Sequence, residues 1–357
     1  MKRTLYTLVA LILCIGGMSA KKTNGGELAS LQAFLQQPAL EAATNAEALG
    51  ITNLGNPASW EGVKVENGHV TEIKWDNKKL AGQLNLADMP MLSSLQLRNN
   101  RLMALTVTNC PQLTYINAGR NRLMSFNCTG TPQLQTLLLY RNRLNSIDLG
   151  AVPLLRRLNI SSNSMAALDV SNAINLETLN CASNRMEELV VDGCTSLKNL
   201  YAGFNELTGI QMTGCKALAN LNLNNNRMSK LYMENMPALN TLFVSDNHLT
   251  QLAVNNCPAL NDLWAPYNDL TSVGITDCPA LAFVNLSWND LSYLDMSNMN
   301  FLQRLNVSNN SLLTLLCNFD PLLSYVNIAN NINLTEFSHD GSDNLMQVVG
   351  MNWEMDE

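Results

Sequence analysis

Residues 239–249 read LNTLFVSDNHL, and the fold of the whole chain follows from them. Leu239, Leu242, Val244 and Leu249 are apolar, Asn247 is not, and polar residues fill the gaps. Twenty-one residues earlier the same frame returns with Leu218, Leu221, Leu223, Asn226 and Met228. Twenty-one residues later it returns with Leu260, Leu263, Ala265, Asn268 and Leu270. Followed outward, the Asn recurs without slippage at 100, 121, 142, 163, 184, 205, 226, 247, 268, 289, 310 and 331. A second apolar pair follows five and seven residues after the Asn in eleven of the twelve copies, as in Leu168 and Val170. Pro stands ten residues before it in eight of the twelve copies. Chance does not hold one register over twelve copies.

The alternation around Leu242 and Val244 is that of a half-buried strand. Strands from successive copies then pair in parallel, about 4.8 Å apart. An Asn carries two donors and an acceptor on one short side chain. It can bond backbone groups in the turn after the strand, and such bonds make its burial tolerable. The second apolar pair closes the core from the other side. Twenty-one residues per turn leave little room there for a full helix, so short extended or 3-10 segments are expected. A chain built this way grows along one axis, so its length does not imply two globular domains.

The repeated LxxLxLxxNxL wording over about residues 68–337 resembles the leucine-rich-repeat family. The resemblance implies an α/β-type repeat: a right-handed, curved solenoid with a parallel sheet on its concave face. It also implies that ligands bind on that face. Val70, Ile73, Trp75 and Leu80 read as a degenerate first copy, with Lys78 where the Asn belongs. Residues 21–67 are expected to form a helical amino-terminal cap, from the helical spacing of Leu28, Leu31, Phe34 and Leu35. The stretches Trp60–Val63 and Asn67–Thr71 resemble the caps of many leucine-rich-repeat proteins. Residues 338–357 leave the frame and are expected to cap the other end around Val348, Val349 and Trp353.

Residues 1–20 read as a secretory signal: Lys2 and Arg3, then an apolar run, then Gly17, Ser19 and Ala20 before Lys21. The apolar run is too short to span a membrane, and no later stretch is apolar for long enough. Leu13 stands where a small residue would precede a lipidated Cys14, so no lipid anchor is expected. Export to the periplasm, the outer surface or the medium is the expectation. Without Lys2 and Arg3 the net charge is 20 − 29 = −9, which opposes nucleic-acid binding. Eight Cys remain, and all fall on core positions of the repeat, where Cys acts as a small buried hydrophobe. Cys194/Cys215 and Cys257/Cys278 are neighbours on adjacent turns, in an orientation unsuited to a disulfide, so free thiols are expected.

The exposed positions four, two and one before the Asn are where a ligand would bind. In the first copies they are basic: Arg98, Arg120, Arg141 and Arg157 lie on or beside strand ends, with Tyr140 among them. Such a row suits an acidic partner, or simply a solvated face. Later copies carry Tyr201, Phe204, Phe243, Trp264, Tyr267, Phe283 and Trp288. Exposed aromatics in a patch mark interaction surfaces for proteins or sugars. They can also merely cover one another. His248, Asp269 and Asp290 share one column, with Asp246 nearby. A cation there is conceivable, and a solvated acidic edge is the plainer reading. No catalytic motif or metal-ligand cluster is present, no cofactor is implied, and no stretch outside the frame is long enough for a catalytic domain. The expectation is an exported, non-enzymatic binding protein whose partner is a protein, with a surface glycan as the alternative.

Overall fold

The computed structural model describes residues 24–149, 152–171 and 173–350. Each 21-residue copy makes one turn of a solenoid, and successive turns stack in register. The strand segments form a fifteen-stranded sheet. Val63–Glu66 opens it, antiparallel to His69–Lys74, and all later pairs are parallel. The typical strand has three residues. In Thr241–Phe243 the central Leu242 is buried and the flanking residues face outward. Leu242 stands opposite Leu221 on one side and Leu263 on the other. Every turn therefore adds the same apolar step to one continuous core.

The opposite wall is also extended. Lys230–Glu234, Gln251–Asn255 and Ser272–Thr276 pair in parallel, turning Leu231 and Met233 inward. Across the described residues this second wall is broken into three sheets of three strands and one of two. Of the two local structures expected there, the extended one is adopted. The 3-10 helix Pro57–Ser59 lies in the amino-terminal region instead.

The repeat Asn works as a bridge between turns. Asn226 Oδ1 accepts the Leu207 N–H at 3.0 Å, and its Nδ2 donates to the carbonyls of Ala202 (3.1 Å) and Leu223 (2.9 Å). The same three-bond pattern recurs from Asn121 to Asn310 and satisfies backbone groups where the strand ends. The residue before each of these Asn has positive φ in all twelve copies. Most turns carry a second left-handed residue nine after the Asn, such as Asn235, Asn256 and Gly193. These two corners let a 21-residue turn close without a helix.

The amino-terminal region is mixed rather than wholly helical. Helix Gly25–Leu35, capped by Asn24, buries Leu31, Phe34 and Leu35 on the first turn, and Phe34 stacks on Trp75 at 6.1 Å. Buried Glu27 bonds His69 Nδ1 at 2.7 Å and the Val70 N–H at 2.9 Å. Gln37 mimics a neighbouring strand: its Oε1 accepts from Gln83 N and its Nε2 donates to Gln83 O. Exposed strand edge is thereby covered. At the far end the sheet continues past the expected frame. Gln347–Val349 pairs with Tyr325–Asn327, one 22-residue step on. Sequence reading stopped at 337 because no ladder Asn marks that step. Trp353 and the segment 1–20 lie outside the described residues.

Candidate binding surface

The exposed residues fall into columns, and the structure divides the candidates between two surfaces. Residues six and four before the Asn flank the buried centre of each strand. Tyr201, Phe243, Trp264, Phe283 and Arg157 stand here. Arg98 and Tyr140, two before the Asn, continue this face just past the strand. The residue one before the Asn has left the strand and sits at the left-handed corner. Phe204, Tyr267, Trp288, Arg120 and Arg141 belong there. They line an edge of the solenoid, and the sequence reading had merged them with the strand face.

On the strand face the aromatics converge at one place. Trp264, Phe283, Arg304 and Tyr325 line a groove of about 190 Å³, floored by Val284 and Leu305. Phe243 extends it, its ring 6.3 Å from Trp264 at a tilt of 42°. The Arg304 guanidinium lies 5.6 Å from the Tyr325 ring centre, a cation–π distance. Trp264 remains 39% exposed, so the ladder does not hide it. Arg304 and Tyr325 stand six before their Asn, like the candidates Phe283 and Arg157. They were not singled out because Arg304 lies far from the basic early turns and Tyr325 lies beyond the aromatic run that ends at Trp288.

Asn285 and Asn306 border the same groove. The Oδ1 of each accepts a backbone N–H two residues on, and the Ser hydroxyl there donates to it as well. Asn159, with Ser161, does the same. These Asn-x-Ser triplets are thus turn locks. Among the described residues the Nδ2 groups of Asn285 and Asn306 have no acceptor, so they offer hydrogen bonds into the groove.

The basic candidates are less united. Arg98 and Arg157 are exposed on the strand-face side, while Arg120 and Arg141 point from the edge. Tyr140 is half-buried and lies against Gly119 of the preceding turn, where an added Cβ would meet its ring at 2.4 Å. It is partly committed to packing. Arg156, beside Arg157, is held by Glu177 at 3.2 Å, and Lys198 shares that carboxylate.

Solved structures with the same stacked turns settle the fold. The leucine-rich effector protein YopM from Yersinia pestis superposes with a TM-score of 0.62 and 26% identity, over 78% of this chain and 76% of that one. This chain has the leucine-rich-repeat fold. The leucine-rich-repeat protein LIC12759 of Leptospira interrogans matches at TM-score 0.54 and 22% identity, over 63% of this chain and 62% of that one. The LRIM1/APL1C complex matches at 0.57 and 22%, over 70% and 52%. The chain thus spans less than two thirds of the last two proteins. No protein-family model matches the sequence, and no curated protein does.

Within this leucine-rich-repeat chain the acidic column does not assemble a cation site. His248 Nδ1 meets Asp269 Oδ2 at 3.6 Å, both exposed. Among the described residues no three His, Cys, Asp or Glu side chains gather as metal ligands. The eight described cysteines are free and buried. Cys194 and Cys215 each donate to a carbonyl of the preceding turn, at 3.3 and 3.2 Å. Burial pushes the Cys194 and Cys181 thiols up to about 12. Among the described residues no helix is long and apolar enough to cross a membrane.

Proposed function

We propose that the chain is an exported, non-catalytic binding protein that holds a protein ligand against the face of its long sheet. The observation carrying this reading is the groove between Trp264, Phe283, Arg304 and Tyr325, edged by the Nδ2 donors of Asn285 and Asn306. An extended peptide segment presents what such a groove accepts. Its side chain fills the apolar floor, its carbonyls take the amide N–H groups, and an acidic residue meets Arg304. Exposed Arg98 and Arg157 extend the acceptor surface toward acidic stretches of the partner. The presence of a protein complex, LRIM1/APL1C, among similar folds is consistent with this use of the scaffold.

A second reading has its own observation. A half-exposed Trp264 beside unengaged amide donors also suits the apolar face and hydroxyls of a sugar. Parallel screening on an extracellular-protein array and a glycan array, at low and high salt, separates the two. Salt-sensitive capture of particular proteins, lost on Arg304→Ala, supports the protein ligand. Salt-insensitive glycan retention, lost on Trp264→Ala, supports the sugar. Retention of either that survives Trp264→Ala, Phe283→Ala and Arg304→Ala together removes the groove from the proposal.

A further inference from the structure

The corners beside the ladder asparagines form a surface of their own. The residues immediately before and after each Asn flank its buried amide, and most are exposed. On the early turns both are basic: Arg120 and Arg141 before the Asn, Arg122 and Arg143 after it. On the late turns the first is aromatic and the second acidic: Tyr267 and Trp288 before, Asp269 and Asp290 after. The two sets are placed evenly about the turn of Asn205. Asn121 and Asn289 lie four turns to either side of it, and Asn142 and Asn268 three. Phe204 stands at that midpoint, 60% exposed.

This arrangement is complementary to itself under a two-fold axis crossing the edge at Asn205. A second copy related by that axis runs antiparallel to the first and sets each column against the same column. Arg141 then faces Tyr267 of the second copy and Arg120 faces Trp288, guanidinium against ring. In the neighbouring column Arg143 faces Asp269 and Arg122 faces Asp290. Phe204 meets its own counterpart on the axis. One column further out, exposed Met103 and Leu313 fall opposite each other, five turns from the axis. Nearest the axis the column after the Asn sets Arg185 against Arg227 and Glu206 against its own counterpart, where each Arg227 is already paired with the Glu206 of its own copy at 2.9 Å. A parallel pairing would set Arg120 on Arg122 and Arg141 on Arg143, with no carboxylate between them.

We propose that the chain forms an antiparallel homodimer through this edge, centred on Phe204. The side chains are poised for it. Tyr267 and Trp288 are stacked on each other at 5.4 Å and 15° and stay 51% and 50% exposed. Arg120, Arg122, Arg141, Arg143 and Asp290 take part in none of the ion pairs within the described residues, and Asp269 has only the long contact to His248. Ten steps of about 4.8 Å give a strip about 50 Å long, and a width of about 10 Å makes roughly 500 Å² per copy. That is small for a permanent interface, so the dimer dissociates in the micromolar range and weakens with salt. The strand-face groove stays open in it.

Sedimentation velocity over roughly 1–200 µM protein tests the pairing. The unmodified protein is expected to shift from monomer to dimer with concentration. Arg122→Glu alone and Asp290→Arg alone are expected to stay monomeric, each placing like charges together twice. Mixed in equal amounts, the two variants are expected to form a heterodimer, because both contacts then join opposite charges. Circular dichroism of each variant confirms that the solenoid is intact. An unmodified protein that is monomeric throughout overturns the proposal. So do single variants that dimerise undiminished, or a mixture that stays monomeric.

Discussion

At the scale of single residues, the left-handed corner before each ladder Asn shows folding and surface chemistry pulling apart. Asn, Asp and Ser fill many of these corners, and Asn and Asp tolerate positive φ because their short side chains bond locally. Phe204, at φ 59°, has no such compensation and leaves its ring in solvent. Phe204→Asn is therefore expected to raise stability in urea unfolding by about 1 kcal/mol, while weakening self-association. A loss of stability instead would mean that the ring packs on the fold. Asp320 makes a different compromise. It occupies the buried column ten after the Asn, its Oδ1 accepting from Met299 N at 2.7 Å and its Oδ2 left without a partner. Burial raises its pKa to about 6, from an ordinary 3.8. The folded state therefore holds the proton more tightly than the unfolded chain. Its contribution to stability is full below pH 4 and is lost as pH rises through about 6. Relative to Asp320→Asn, the unmodified protein is expected to lose on the order of 2 kcal/mol between pH 4 and pH 7.5. Thermal melts of both proteins across that range measure it, and parallel curves would rule the carboxyl out.

At the scale of the turn, the ladder Asn has the clearest consequence. Replacing Asn226 by Ala strands the Leu207 N–H and removes a donor from the carbonyls of Ala202 and Leu223, all at a buried corner. Leaving such groups unbonded costs about 1–3 kcal/mol each, so a loss of about 3 kcal/mol or more is expected on chemical denaturation. A loss under about 1 kcal/mol would mean that water replaces the amide. The thiols respond to the same enclosure. With Cys181 and Cys194 raised to about 12, the thiolate is scarce at neutral pH and the sulfur is out of reach. A disulfide reagent should leave Cys181 and Cys194 unreactive until the chain is unfolded. This is also the scale at which the sequence was most legible, because strand, ladder and core each repeat with one period. The corners were less so. Positive φ is a backbone property that seven residue types spread over twelve copies do not spell out, and it moved five candidates from the strand face to the edge. Arg304 and Tyr325 escaped for a different reason. Each is a lone residue of its kind on its turn, and only the three-dimensional convergence with Trp264 and Phe283 makes them part of a groove.

At the scale of the whole molecule, stacking leaves two open ends, and only the ends need special chemistry. An internal turn is interchangeable with its neighbours. Removal of residues 206–226 joins Asn205 to Arg227 and keeps every Leu and Asn in register. The shortened chain is expected to fold with one unfolding transition and only modestly lower stability. The amino-terminal region has no such substitute. It covers Trp75 with Phe34, holds the backbone of Val70 with buried Glu27, and satisfies the Gln83 edge with Gln37. Without residues 24–61, the apolar end of the core and an unpaired strand edge face solvent, which is a template for association between chains. Both truncations can be followed by light scattering and thermal melting at equal concentration. The loss of the 21-residue internal turn should leave a soluble protein, and the loss of the cap should give aggregates or an early, broad melt. A capless chain that stays soluble and melts with the full-length protein would show that the solenoid end is stable by itself. The helix Gly25–Leu35 would then need another purpose.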